Sequence, residues 1–387
     1  MNHQLFIILS VLSFLCACSR PQLRLAGNTP SQKKVSPKIV GDEQKVGQAQ
    51  IEKLRLVPNH AELLSREDLK GILEEVLPPT DTHPKKVEKE KPVLSKKLKK
   101  YCAKIQNNFR HWGWGYARCQ NYPWHHVRNS VLGTPLIWMA FGDEKAHNLR
   151  AKNTTMILCG VHGDEITPIK FCFDIIKFLE EHPELYRDRM VVVAPIVNPD
   201  SYFKRYPTRT NQRKVDINRN FPTRDWHAKA RSLWKKRYRS DRRRNPGKRP
   251  MSEPEVLFQV NLIKRYNPNK LISVHAPLTL IDYDGPIEQA KSKGLFQKQL
   301  LITMSEKAEG YKIKDYPFFP GSLGNWAGNE RKIPTYTLEL PSSDSRNHKK
   351  YWKMFRPAIQ AAIVHDFNKS LELAETAEEN KKSMKKN

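Results

Sequence analysis

Residues 154–159 constrain the fold more than any other stretch. They read TTMILC, and the chain then turns sharply through GVHGDE. A short apolar run of this kind suits a strand buried on both faces. It ends by delivering His162 and, three residues later, Glu165. In open α/β sheets, ligands bind beyond the carboxyl ends of strands. The end of this strand is therefore where chemistry is expected.

Similar apolar runs at 135–141, 190–196, 270–274 and 335–340 predict further strands. Helical patterns cover 166–182, 253–266, 287–309 and 349–367. Ser252 followed by Glu255 predicts a capping box at the second helix. Strands alternating with helices imply an α/β fold, a single three-layer α/β/α domain around a mixed, mostly parallel sheet.

His275 lies just past a second strand end, in LISVHAPL. Imidazole nitrogen and carboxylate oxygen suit Zn²⁺, and three protein ligands leave a position for water. His162, Glu165 and His275 together fit such a site. Glu339 stands inside the apolar strand TYTLELP, where a carboxylate is costly unless paired or functional. It is a candidate general base, the alternative being a side chain turned to solvent. In TRTNQRKVDINRNFP, Arg209, Asn218 and Arg219 offer donors for a carboxylate, the alternative being a basic surface loop.

These motifs, in this order, resemble the zinc metallocarboxypeptidases. HGDE at 162–165, NPDS at 198–201, KVDINRNFP at 214–222, SEPE at 252–255, His275 and Glu339 match the family's pattern over about residues 130–367. The resemblance implies the zinc carboxypeptidase-like fold and one Zn²⁺ per chain on His162, Glu165 and His275. It implies Asp216 as the hydrogen-bond partner of His162, and Arg209 as the group that polarises the scissile carbonyl. Asn218 and Arg219 would grip the substrate's terminal carboxylate, and Glu339 would activate water. Ser201 and Lys214 replace two glycines of the pattern, which predicts local backbone adjustment. Tyr283 is a candidate for the substrate-capping tyrosine. FPGSLGNWAGNERKIPTYTLELP is most similar to the murein peptide amidase branch. Members of that branch cleave the bond between γ-D-glutamate and meso-diaminopimelate in peptidoglycan stem peptides. A carboxypeptidase acting on other peptides, or a non-catalytic cell-wall-binding protein, are the alternatives. A monomer is expected for the family.

The N-terminal run LFIILSVLSFLCAC has signal-peptide length, and Leu15-Cys16-Ala17-Cys18 resembles a lipoprotein cleavage site. Residues 1–18 are expected to be a lipoprotein-type signal peptide with Cys18 lipidated, although Met1-Asn2-His3-Gln4 lacks the usual Lys or Arg; an ordinary cleaved signal peptide, or a cytoplasmic protein with an apolar N-terminus, are the alternatives. The expected location is the periplasm, with the membrane reached through the lipid anchor. Ser19 gives no aspartate-type retention signal, so the outer membrane is preferred. Residues 19–100 look like a basic, Pro/Lys-rich disordered tether with one short amphipathic helix at 61–76. The catalytic domain is expected over 101–368 and a polar basic tail over 369–387. Cys102 and Cys119 suit a disulfide in an oxidising compartment. Cys159 and Cys172 read as core residues.

The chain carries 68 Lys and Arg against 40 Asp and Glu, a net charge of +28. That balance favours polyanionic partners. HAKARSLWKKRYRSDRRRNPGKRP, at 227–250, is a basic insertion. It reads first as a solvated rim of the active site, then as a wall- or membrane-docking surface, and no specific nucleic-acid partner is expected.

Overall fold

A computed structural model gives the fold and describes residues 92–149, 153–285, 293–368 and 376. The expected signal peptide, Cys18, almost all of the tether, its helix at 61–76 and nearly all of the tail lie outside the described residues. Among the described residues no helix is long and apolar enough to cross a membrane.

The strands are β1 (His125–Asn129), β2 (Pro135–Phe141), β3 (Asn153–Cys159), β4 (Arg189–Ala194), β5 (Lys270–His275), β6 (Leu280–Asp284), β7 (Ile313–Lys314) and β8 (Thr335–Glu339). They form one sheet in the order β1-β2-β4-β3-β5-β8-β6-β7. Its centre, β4-β3-β5-β8, is parallel. The pairs β1-β2, β2-β4 and β6-β8 are antiparallel. This is the expected mixed α/β sheet.

Successive strand residues alternate between two cores, as the twofold period of a strand requires. Ile157, Val191, Val193, Ile272, Val274, Tyr336 and Leu338 enter one core. That core also takes side chains from α1 (Lys96–His111), α3 (Ile166–Glu181), α7 (Lys293–Lys307) and α8 (His348–Val364). Met156, Leu158, Met190, Val192 and Leu271 enter the other, under α6 (Pro254–Tyr266) and the loops carrying Phe221 and Trp326. Burial on both faces explains why these strands read as unbroken apolar runs. The short helices α2 (Glu144–Leu149), α4 (Pro199–Tyr202) and α5 (Arg231–Lys236) fill connections.

Three expectations need correction. The folded part begins before residue 101. Ser95 caps α1 by accepting from the Leu98 amide at 3.3 Å, and Leu94 and Leu98 are buried with Tyr101, Cys102, Ile105 and Phe109. Two leucines in a lysine-rich stretch thus complete an amphipathic face. Cys159 and Cys172 are buried as expected, but they are also bonded to each other, alongside the expected Cys102–Cys119 bridge. The capping box does not form. Glu253 is the N-cap of α6 and Pro254 its first residue. Ser252 Oγ donates to Glu253 instead, and Glu255 accepts from Asn211 at 3.0 Å.

Candidate active site

Three strand ends build the site. His162 follows β3 within three residues, His275 ends β5 and Glu339 ends β8 directly beside it. Gly163 holds the first turn tight, since a Cβ there would stand 2.6 Å from the Ser201 side chain.

Glu165 lies between the two histidines. His162 Nδ1 is 2.7 Å from Glu165 Oε1, and His275 Nδ1 is 2.8 Å from Oε2. The outer nitrogens are also engaged, His162 Nε2 with Asp216 Oδ1 at 3.1 Å and His275 Nε2 with Ser273 Oγ at 2.9 Å. A carboxylate on Nε2 fixes that nitrogen as the proton donor and turns the Nδ1 lone pair inward. Ligand atoms of His162, Glu165 and His275 all lie within 4.8 Å of one another, the only such cluster among the described residues. Two imidazoles and one carboxylate, with outer partners in place, fit a zinc ion with an open position.

Charge in this corner is mutually held. Burial opposes ionisation of Glu165, but His162 and His275 outweigh it and hold the carboxyl well below its usual range. Asp216 is fully buried and likewise held low, by Arg209 and His162. Arg209 Nε donates to Asp216 Oδ2 at 3.0 Å and Nη1 to Glu165 Oε1 at 3.2 Å. The predicted carbonyl-polarising arginine is thus docked against the predicted metal site. Glu339 is buried rather than turned to solvent, and accepts from the Leu278 amide at 3.3 Å. Burial, with Glu165 nearby, raises its pKa against the opposing pull of His275.

The motif loops brace one another. Asn198 Nδ2 donates to the Val161 and Arg209 carbonyls, both at 3.3 Å. Ser201 Oγ donates to the Thr210 carbonyl. Asn211 donates to Glu253 at 2.7 Å as well as to Glu255, which ties the arginine loop to α6. Lys214 adopts φ +61°, the left-handed conformation that glycine takes at little cost. Lys214 therefore holds, without glycine, a conformation that glycine favours.

Asn218 and Arg219 sit beyond Asp216. The Asp216 side chain accepts from the Asn218 amide at 3.0 Å. Asn218 Oδ1 accepts from the Leu323 amide at 2.8 Å, and its Nδ2 has no hydrogen-bond partner among the described residues. Arg219 Nη1 donates to the Asn218 carbonyl at 2.7 Å, while its buried Nε lacks a partner. A buried donor without an acceptor is expensive, and an incoming anion removes the penalty.

Tyr283 is the one site candidate that the structure removes. Its hydroxyl donates to Gln297 at 2.6 Å and its ring packs on Tyr336, in the core beneath the sheet. Strand alternation turns it away from Glu339. The same alternation exposes residues that were missed. Leu280 pairs with Glu339, Asp282 with Thr337 and Asp284 with Thr335, so Asp282 and Asp284 share the Glu339 face. Asp284 packs its carboxylate against Gly324, where no Cβ could fit. Burial and Asp315 push its pKa up to about 7, opposed by Arg219. Tyr316 donates its amide to Asp282 at 3.1 Å, and its phenol senses Asp282 and Glu339. The alternating signal IDYD was present in the sequence.

Comparison with known proteins gives the family and the fold. The zinc carboxypeptidase family matches residues 120–363. The chain is similar to murein peptide amidase A of Vibrio campbellii, 32% identical over 55% of this chain and 77% of that protein. It is similar to murein peptide amidase A of Escherichia coli K12, 30% identical over 59% of this chain and 86% of that protein. The fold is shared with thrombin activatable fibrinolysis inhibitor, at a TM-score of 0.51 and 19% identity, over 88% of this chain and 87% of that one. The chain belongs to the zinc carboxypeptidase family and is a zinc metallopeptidase hydrolase.

Proposed function

We propose that the protein hydrolyses the bond between γ-D-glutamate and meso-diaminopimelate in peptidoglycan stem peptides. The observation that carries this reading is Asp284, set on the Glu339 face within the field of Arg219. Diaminopimelate presents one carboxylate beside the scissile bond and an ammonium at the far end of its side chain. Arg219 and Asn218 receive the carboxylate, and Asp284 receives the ammonium. The relatives named murein peptide amidase A support the same substrate.

Zinc on His162, Glu165 and His275 would supply a Lewis acid and an activated water. Glu339, buried at the end of β8 beside His275, is placed to take up a proton from the attacking water and return it to the leaving amine. Arg209 faces the carbonyl oxygen as negative charge develops there. Asp216 keeps His162 oriented throughout.

The compartment we infer is the periplasm, with Cys18 as the lipid anchor. Two disulfides support an oxidising location. A Cys18→Ala protein found in the soluble rather than the membrane fraction would agree with the anchor. The reaction itself is tested by mass spectrometry of L-Ala-γ-D-Glu-meso-diaminopimelate incubated with the full chain. Free diaminopimelate, lost on chelation and restored by zinc, is the expected result. Release of ordinary C-terminal residues from peptides, with the tripeptide left intact, would transfer the site to a general carboxypeptidase.

A further inference from the structure

Residues 224–249 hold eight arginines and four lysines against only Asp225 and Asp241. All twelve cationic residues are exposed. This is not a floppy loop. Trp226 is buried and its Nε1 donates to the Arg219 carbonyl at 3.0 Å. Trp234 Nε1 donates to the Asp241 carbonyl at 2.8 Å, closing the segment on itself. The segment also reaches the site directly. Arg243 Nη1 donates at 2.8 Å to Asp164 Oδ2, a residue between the expected ligands His162 and Glu165. Arg244 lies 4.4 Å from the ring centre of Tyr238, and both residues contribute to the field at Arg219. The cationic surface therefore begins at the mouth of the active site.

We propose that this face docks the polymeric cell wall, by binding carboxylates of stem peptides next to the one being cut. This rests on the murein reading above. A single salt bridge on a surface is worth little, but many exposed like charges create a field that concentrates a polyanion. Two other polyanions fit less well. Single-stranded nucleic acid needs aromatic platforms, and the rings here are committed, Trp226 to the core and Trp234 and Tyr238 half-buried within the segment. Membrane-surface helices insert apolar side chains. Among the described residues the exposed large hydrophobics are Val93, Tyr116, Val127, Leu132, Tyr206, Leu278, Ile302 and Ile313, none of them in this segment.

The test compares the full chain with a variant carrying Lys235→Gln, Lys236→Gln, Arg239→Gln and Arg242→Gln. None of the four belongs to the catalytic or substrate-gripping set. Turnover of free tripeptide should change less than about twofold, while diaminopimelate release from purified sacculi at low salt should fall by about tenfold or more. Pelleting with sacculi, measured in a Glu339→Gln background, should show the same loss and should weaken with added salt. Because pelleting needs no cleavage, it tests the surface even if the tripeptide is not a substrate. Unchanged pelleting and unchanged sacculus turnover would overturn the proposal. So would charge-dependent binding to phosphatidylglycerol vesicles or to RNA with sacculus binding unaffected.

Discussion

The metal corner and the basic segment are neighbours joined by one salt bridge, yet they use charge in opposite ways. In the corner, His162, Glu165, His275, Arg209 and Asp216 are all in contact with one another's charges, and all but Arg209 are buried. Each group is fixed because losing a partner would strand a buried charge. In the segment at 224–249, twelve cations face water with two acids nearby. Solvent stabilises their ionisation, and the surface they form presents positive charge to an external anion. The contrast separates residues that define geometry from residues that define reach.

That contrast can be broken most severely at Glu339. Glu339→Gln keeps size and burial but removes the base, and kcat on the tripeptide should fall by roughly 10²–10⁴-fold. Zinc content by elemental analysis should stay at the level of the unaltered protein. A variant that loses metal as well would mean Glu339 belongs to the ligand set rather than acting as the base.

A smaller effect is expected one shell further out. Asp216→Asn leaves His162 its position but weakens the hold on its Nε2 proton, so zinc affinity should drop by about 10–100-fold. Competition with a chelator measures this. An unchanged affinity would show that Arg209 alone orders the corner.

Asp284 tests whether the corner extends into a specificity surface. Its carboxyl has a pKa raised to about 7, so its ionised fraction grows as pH rises from 6 to 8. KM for the diaminopimelate tripeptide should therefore fall across that window. KM for a peptide ending in a neutral residue should lack this dependence. Asp284→Asn should remove the difference by raising KM for the tripeptide about tenfold, the cost of one charge-assisted hydrogen bond. A pH profile that survives the substitution would point to another acid, with Asp282 the first to check.

The basic segment should give the smallest effect of all on stability. Substituting Lys235 and Lys236 by Gln should shift unfolding free energy by no more than about 0.5 kcal/mol each. Reduction of the Cys102–Cys119 bridge, 17 residues apart, supplies the contrast, at about 3 kcal/mol. Chemical denaturation measures both. A large loss from the lysine substitutions would show that the segment is part of the fold rather than a surface laid upon it.

Much of this was readable from the sequence because it depended on local pattern. The apolar runs that became β3, β4, β5 and β8 are continuous because both of their faces are covered. The order of HGDE, NPDS, KVDINRNFP, SEPE, His275 and Glu339 was enough to give the fold and to single out candidate residues that the fold gathers in one corner. Other features were hidden for physical reasons. Leu98 is a core residue only because Ser95 starts a helix that sets it at one spacing with Tyr101 and Cys102, and Leu94 is buried just ahead of that cap. The Cys159–Cys172 bond needs β3 and α3 to pack before two distant thiols can meet.

What the sequence alone determined, then, was which residues are candidates for the chemistry and in what order, because residue type and spacing are properties of the chain. What only the tertiary structure decided was direction. The antiparallel pairing of β6 with β8 sent Tyr283 into the core and Asp282 and Asp284 to the Glu339 face, since a strand shows alternate residues to opposite sides. The packing of Trp226 under Arg219 brought the basic segment to the mouth of the site. No periodicity reports such long-range contacts, because they exist only once separate elements share a surface.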